Sequence, residues 1–418
     1  MFRTLKLDAT KVYLFIEFAA SAFFGMMFAV TSLYEVTVAG LTPLQLVLVG
    51  TTLEASTFIF EIPTGIVADV YSRRLSIIIG YAVIGLGFLI EGFFPAFLPI
   101  LLAQVIWGLG YTFTSGASQA WLTDEIGEDP ANKLFLRAAK FGLFASIFGI
   151  ALSAFIGSSN VVMPLRVGAL GVMSIALVLA FIMPETGFRP TPKEDRNNWQ
   201  HMVYTFNEGV KAVRARPRLI SIVGIGLFYG LYSEGFDRLW VKHLLDHFQL
   251  PVLFGDNQVA FFAALRLAGT LLTILAVHFV ERRVDTSSPL AIGRALWITT
   301  ALISIAMIGF AFAPLLPLTL GLILAIDMLR SVNGPLQTAW INQKLDSSVR
   351  ATIHSMFGQV DAIGQVAGGP VVGLIARFFS VAAAILTSGL LLTPALFLVS
   401  RANSQSAQEA ELELAPKD

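Results

Sequence analysis

Long apolar runs alternate with short polar intervals along the chain, and twelve of these runs are long enough to cross a membrane. A helix needs about 20 mostly apolar residues to span the hydrocarbon core. The runs fall at 12–38, 43–69, 74–95, 97–124, 134–158, 161–183, 217–247, 254–281, 289–312, 315–343, 349–377 and 379–400. Helices are expected because lipid offers the backbone no partners, so each segment must satisfy its own N–H and C=O groups. Barrel strands would be shorter and would alternate in polarity. The first run contains Glu17 and lacks an obvious small-residue cleavage site, so it reads as a retained helix rather than a signal peptide.

The polar intervals divide the chain. The longest, 184–216, separates six spans from six. Pro184, Pro190 and Pro192 keep its start extended. Beyond them Trp199, Met202, Val203, Phe206, Val210 and Val213 recur at helical spacing, with Lys211, Arg214 and Arg216 among or after them, which predicts an amphipathic helix on the membrane surface. The expected organisation is a six-helix bundle at 1–183, a linker at 184–216, a second bundle at 217–401 and a polar, disordered tail at 402–418. A weak repeat supports two related halves. SGASQAWLTDEI (115–126) ends span four and NGPLQTAWINQKL (333–345) ends span ten, and each is followed by an Arg-Ala pair, at Arg137 and Arg350. Duplicated halves are a transporter signature, with the substrate site expected near mid-membrane between them.

Composition narrows the class. Apolar residues make up 56% of the chain and charged residues 13%, the latter about half the soluble average of roughly 25%. Lys plus Arg and Asp plus Glu are 28 each, so the electrostatic footprint of a nucleic-acid binder is missing. There is no cysteine, which removes disulfides, thiolate metal sites and cysteine nucleophiles. Twenty-two of the 28 basic residues lie at cytoplasmic ends if the N-terminus is inside; Arg166, Lys242 and Arg377 lie outside and Arg238, Arg266 and Arg330 within spans. The positive-inside rule therefore predicts both termini in the cytoplasm.

The loop between spans two and three carries a signature. Gly65-Ile-Val-Ala-Asp69-Val-Tyr-Ser-Arg73-Arg74 resembles the corresponding loop of the major facilitator superfamily, and FEIPTG (60–65) resembles that region in its bacterial drug-efflux, drug/proton antiporter members. GQVAGGPVVG (364–373) in span eleven agrees, so the resemblance covers the chain. It implies an all-α membrane protein with twelve transmembrane helices in two pseudo-symmetric six-helix bundles, the major facilitator fold, placed in the bacterial inner membrane. The loop also has a physical reading: Gly65 permits close helix approach, Asp69 carries negative charge toward a helix N-terminus, which the resemblance implies is that of span eleven near Ser347–Val349, and Arg73, beside Arg74, is placed to pair with Asp124 as a cytoplasmic gate. Ordinary positive-inside loop charge is the alternative reading of the basic pair, and the Gly–Asp–Arg-Arg spacing favours the gate. The sequence departs from the antiporter pattern at Val70 and Ser72 in the loop, at Gln104 where span four usually has Arg, and in span five, which has glycines but no Gly-Pro.

Ionisable residues inside the spans are the main chemical signal. Each costs about 2.5–3.5 kcal/mol on insertion scales and is functional by default. Glu54, Arg266, Asp327 and Asp361 fall at similar mid-span depth, which suggests a hydrated crevice. Glu54 and Glu61 share a face of span two with Phe58. Burial and a neighbouring carboxylate both favour a bound proton, which makes Glu54 and Asp361 candidate carriers; a structural hydrogen bond or an ion pair with Arg266 would account for them equally. Asp327 and Arg330, three apart, are placed to neutralise each other. Glu17 faces either the crevice or the headgroups, and Glu35 and Glu91 near outer ends are expected to be solvated. Glu234, Asp237 and Arg238 suit an outer gate, with Gly235 letting the helix bend. His243 and His247, four apart beside Asp246, have metal-compatible spacing, but interfacial polarity is the simpler explanation and no metal is assigned. The dense Phe23, Phe24, Met26, Met27 and Phe28 suit a permissive pocket or plain lipid-facing packing.

The expected function is proton-coupled export of amphipathic organic compounds by alternating access. Its partners are a small-molecule substrate, protons and membrane lipids, without cofactor or nucleic acid, and a monomer is expected. No phosphate-binding loop G-x-x-x-x-G-K-[ST] occurs, so ATP is not the expected energy source. Uptake or facilitated diffusion of a polar nutrient is the alternative within transport. A membrane enzyme or receptor would need clustered catalytic groups or a soluble domain, which the sequence does not offer.

Overall fold

The computed structural model describes residues 7–190, 210–211, 213–214, 217–251, 257–343 and 347–414. Among them are fifteen principal helices and no strand: α1 (Ala9–Phe28), α2 (Thr31–Thr37), α3 (Pro43–Val70), α4 (Arg73–Phe93), α5 (Phe97–Thr114), α6 (Ala117–Ile126), α7 (Glu128–Ile156), α8 (Met163–Ile182), α9 (Pro217–His247), α10 (Gln258–Arg283), α11 (Pro289–Ala311), α12 (Leu316–Asn342), α13 (Ser347–Phe378), α14 (Val381–Leu391) and α15 (Thr393–Leu414). Three spans are broken helices, α1–α2, α5–α6 and α14–α15. The α5–α6 break falls at Gly116, whose φ of 70° is in the left-handed region that a side chain disfavours. Among the described residues, eleven helices are long and apolar enough to cross a membrane. The twelfth span is α13, 32 residues long, whose Asp361, Gln359, Gln365 and five glycines dilute its apolar content.

The chain divides into two compact units, Met1–Asn198 with Gln249–Leu267, and Trp199–Phe248 with Ala268–Asp418. The boundary cuts α10, so Val259 packs against Gly157 and Ala263 joins Ala29 and Ile150 in the first unit. Two differences from expectation concern the polar intervals. The surface helix expected over 199–213 lies largely outside the described residues. The tail expected to be disordered from 402 continues α15 to Leu414, with Ala402 and Ser406 buried and Asn403 against Gly293. Small polar residues make that helix face able to pack closely, which composition alone did not reveal.

Glycine supplies the closest seams. In the first unit Gly25, Gly142 and Gly149 set α1 and α7 together: a Cβ at Gly149 would strike the Ala22 backbone, and one at Gly142 would meet Ser21 Oγ at 2.9 Å. In the second, Gly230, Gly364 and Gly368 do the same for α9 and α13, Gly230 lying on the Asp361 carbonyl. Small residues let membrane helices approach where lipid provides no hydrophobic drive for association. Gly235 is packed against Ser388 and Val372, so its absent side chain serves contact rather than the expected bend. Met26 and Met27 are buried, Met27 against Gly168, and fill the helix seam instead of lining an open pocket.

Candidate functional site

The second unit gathers charge near the middle of three helices. Tyr232 lies mid-way along the 31-residue α9, Arg330 along the 27-residue α12 and Asp361 along the 32-residue α13. Arg330 grips Asp237 with both terminal nitrogens: Nη1 donates to Oδ1, and Nη2 donates to Oδ2 at 2.8 Å. This fork matches a planar guanidinium to a planar carboxylate and fixes orientation as well as charge. The guanidinium also lies 5.5 Å from the Tyr232 ring centroid. Asp327, the expected partner three residues away, acts on Arg330 electrostatically but does not take the fork. Of the expected outer-gate trio, Asp237 is thus paired with Arg330, and Arg238 Nε lies 3.5 Å from Glu234.

Asp361 is half-buried beside this pair. Gln365, one turn on, donates Nε2 to its Oδ2 at 2.7 Å, and Arg330 is within electrostatic reach. Gly269 of α10 brings backbone close to Asp327 and Leu324, and Thr273 donates to Ser331 at 3.3 Å on the next turn. Below, Tyr229, Thr300, Asn333 and Thr299 form a buried hydrogen-bonded ladder between α9, α11 and α12.

In the first unit, Arg73 Nη1 donates to Asp124 Oδ2, and Asp69 lies 3.7 Å from Arg73. The start of the linker straps over this pair. Glu185 accepts from Ser72 Oγ at 2.7 Å and from the Arg74 backbone at 2.9 Å, placing negative charge at the N-terminus of α4. Glu125 accepts from the Gly187 backbone at 2.7 Å and from Thr186 Oγ1 at 2.8 Å, and Trp121 Nε1 donates to the Pro184 carbonyl at 2.8 Å. Gly187 lies on the Asp124 backbone, where a side chain would not fit.

Other expected residues are more dispersed. Glu17 is half-buried and hydrogen-bonded to Tyr13. Glu54 is half-buried, whereas Glu61, Phe58 and Arg266 are exposed. A Cβ at Gly65 would meet nothing within 4 Å, so the close approach expected there is not among the described contacts. Glu35 and Glu91, expected to be solvated, are each 1% exposed, because α4, α5 and α8 close over them. His243 is likewise buried, 4.9 Å from the Phe310 ring, where a wet helix end was expected. Among the described residues no group of three or more His, Cys, Asp or Glu is placed to hold a metal ion. Outside the spans, the Ser287 hydroxyl and backbone hold the Asp285 carboxyl below the usual carboxylate range. The sequence reading missed Tyr232, Gln365, Glu125 and Glu185. Only Gln365 carried a readable signal, its spacing of one helical turn from Asp361.

Among the described residues, eleven long apolar helices with α13 as a further membrane-length helix make this a multi-pass membrane protein with polar side chains at mid-helix. The family model for the Major Facilitator Superfamily matches residues 13–369, and the chain belongs to that family. An uncharacterised MFS-type transporter, YxaM of Bacillus subtilis (strain 168), is 27% identical over 350 residues, covering 81% of this chain and 82% of that one. Among solved structures, the nucleoside transporter NupG superposes with a TM-score of 0.72 at 14% identity, covering 96% of this chain and 99% of NupG. A D-xylose–proton symporter superposes with a TM-score of 0.70 at 12% identity, covering 94% and 97%. At these identities the solved structures share the fold.

Proposed function

We propose that the protein is a proton-coupled secondary transporter working by alternating access, with Asp361 as a proton carrier. The observation that carries this reading is the division of labour around Arg330. Asp237 takes the guanidinium fork, while the close partner of Asp361 is the neutral Gln365 amide. An amide can donate to a carboxylate or, turned over, accept from a carboxylic acid, so it serves both protonation states. A guanidinium gripping Asp361 directly would hold it ionised.

For cargo, we favour export of amphipathic organic compounds, on the resemblance of FEIPTG to drug-efflux members and on the aromatic content of the chain. Import of a polar metabolite is the second reading. It draws on the polar centre formed by Arg330, Asp237, Tyr232 and Gln365, and on relatives of the same fold named for nucleosides and D-xylose.

The test uses inverted membrane vesicles with an imposed pH gradient, dye or drug movement, and counterflow. Wild-type protein moves cationic amphiphiles in response to the gradient. Asp361→Asn loses that response and keeps gradient-independent counterflow, because the amide mimics the protonated acid. An unchanged gradient response in Asp361→Asn overturns the carrier assignment. Counterflow with sugars and nucleosides but not with amphiphiles selects the second reading.

A further inference from the structure

In the second unit, α11 packs antiparallel to α14 and α15, and two contacts fix the register. Gly293, near the start of α11, lies on the Asn403 side chain, and further along Ser304 Oγ donates to the Gly389 carbonyl at 2.7 Å. From the first contact, Arg294 is the next residue along α11 and Arg401 lies two residues back along α15. At about 1.5 Å per residue the two arginines stand at one level. Trp297 and Phe397 follow three and four residues further into the spans, about one turn deeper. All four side chains are exposed, Trp297 by 41% and Phe397 by 69%.

The arginines also mark where the apolar surface ends. α11 carries no charge after Arg294, and no charged residue occurs from Val381 to Ser400. Among the described residues neither arginine takes part in an ion pair. The nearest acids in sequence are Asp285, nine residues before Arg294, and Glu409, eight after Arg401, both away from the spans. Asp285 is already bonded to the Ser287 backbone and hydroxyl. Two guanidiniums thus stand above two exposed aromatic rings, and the exposed Ile298, Leu302 and Ile305 extend the apolar surface along α11.

An occupant of this face must bring negative charge to the upper level and hydrocarbon to the lower one. A phospholipid with a net negative headgroup does both. Its phosphate accepts the two-nitrogen fork of a guanidinium, and aromatic rings favour the headgroup boundary. A zwitterionic lipid brings its own cation to the arginines, and a free phosphate offers nothing to the rings.

We propose that the α11–α15 face is a binding site for an anionic phospholipid, with the headgroup phosphate held by Arg294 and Arg401 and the acyl chains laid along Trp297 and Ile298. The site is independent of Asp361 and of the cargo.

Thermal unfolding of the full-length protein in detergent micelles tests this with added phosphatidylglycerol, phosphatidylcholine or inorganic phosphate. A ligand bound by the native state raises the midpoint. Phosphatidylglycerol is expected to raise it above the phosphatidylcholine value, and inorganic phosphate is not. Arg294→Gln with Arg401→Gln loses most of that rise and keeps the phosphatidylcholine midpoint. Lys133→Gln with Arg137→Gln, an exposed basic pair on α7 of the first unit, keeps the rise. Brominated phosphatidylglycerol supplies the second readout: it quenches part of the tryptophan fluorescence, and that part is missing in Trp297→Phe. The proposal is overturned if the arginine double variant keeps the full rise, if the α7 pair abolishes it equally, if inorganic phosphate reproduces it, or if Trp297→Phe leaves the quenching unchanged.

Discussion

At the scale of single residues, the second unit's charge centre depends on which acid holds Arg330. Sequence spacing offered Asp327; the fork belongs to Asp237, 93 residues earlier on another helix. Spacing along one helix is legible in a sequence, and a partner on a neighbouring helix is not. That is why Gln365 was within reach of the sequence and Tyr232 was not. The same limit hid the burial of Glu35 and Glu91, whose positions near helix ends suggested water until the packing of α4, α5 and α8 was known. Arg330→Ala is expected to destabilise the protein by about 1–2 kcal/mol. That lies below the roughly 3–5 kcal/mol for breaking a fully buried pair, because both partners keep some solvent access. The double exchange Asp237→Arg with Arg330→Asp should recover part of the loss in detergent thermal unfolding. Equal loss in the exchange and in the single variant would show that the pair is not what stabilises this region.

At the scale of elements, the helices were legible because membrane solvation leaves the backbone little choice, and their breaks were not. Gly116 marks one break through its backbone angle, a property that sequence signals only as permission. The helix seams explain why so many glycines sit inside long helices, where each would otherwise cost about 1 kcal/mol relative to alanine. Gly149→Val should therefore separate α1 from α7 and cost at least the roughly 1–3 kcal/mol of an overpacked interface. Fluorescence-detected size exclusion should show reduced monodisperse protein. Gly321→Ala, where a Cβ meets open space, is the control expected to behave as wild type.

At the scale of the whole molecule, the repeat read from SGASQAWLTDEI and NGPLQTAWINQKL has a counterpart within each unit: spans one and five meet through glycines in the first, spans seven and eleven in the second. The membrane orientation expected from the basic residues is directly testable because the chain has no cysteine. Ser159→Cys, in the exposed turn after α7, should react in intact cells with a membrane-impermeant maleimide. Ser287→Cys, exposed between α10 and α11, should react only after permeabilisation. The reverse pattern would invert the predicted topology.

Where two main chains touch with no side chain between them, there is no soft layer to shear. The α1–α7 and α9–α13 seams are accordingly stiff ribs, and thermal sliding along them is suppressed. Elastic deformation within each unit must then concentrate where bulkier, re-packable side chains separate the backbones, so a solvent or ligand that softens the protein should act at those joints and leave the ribs intact.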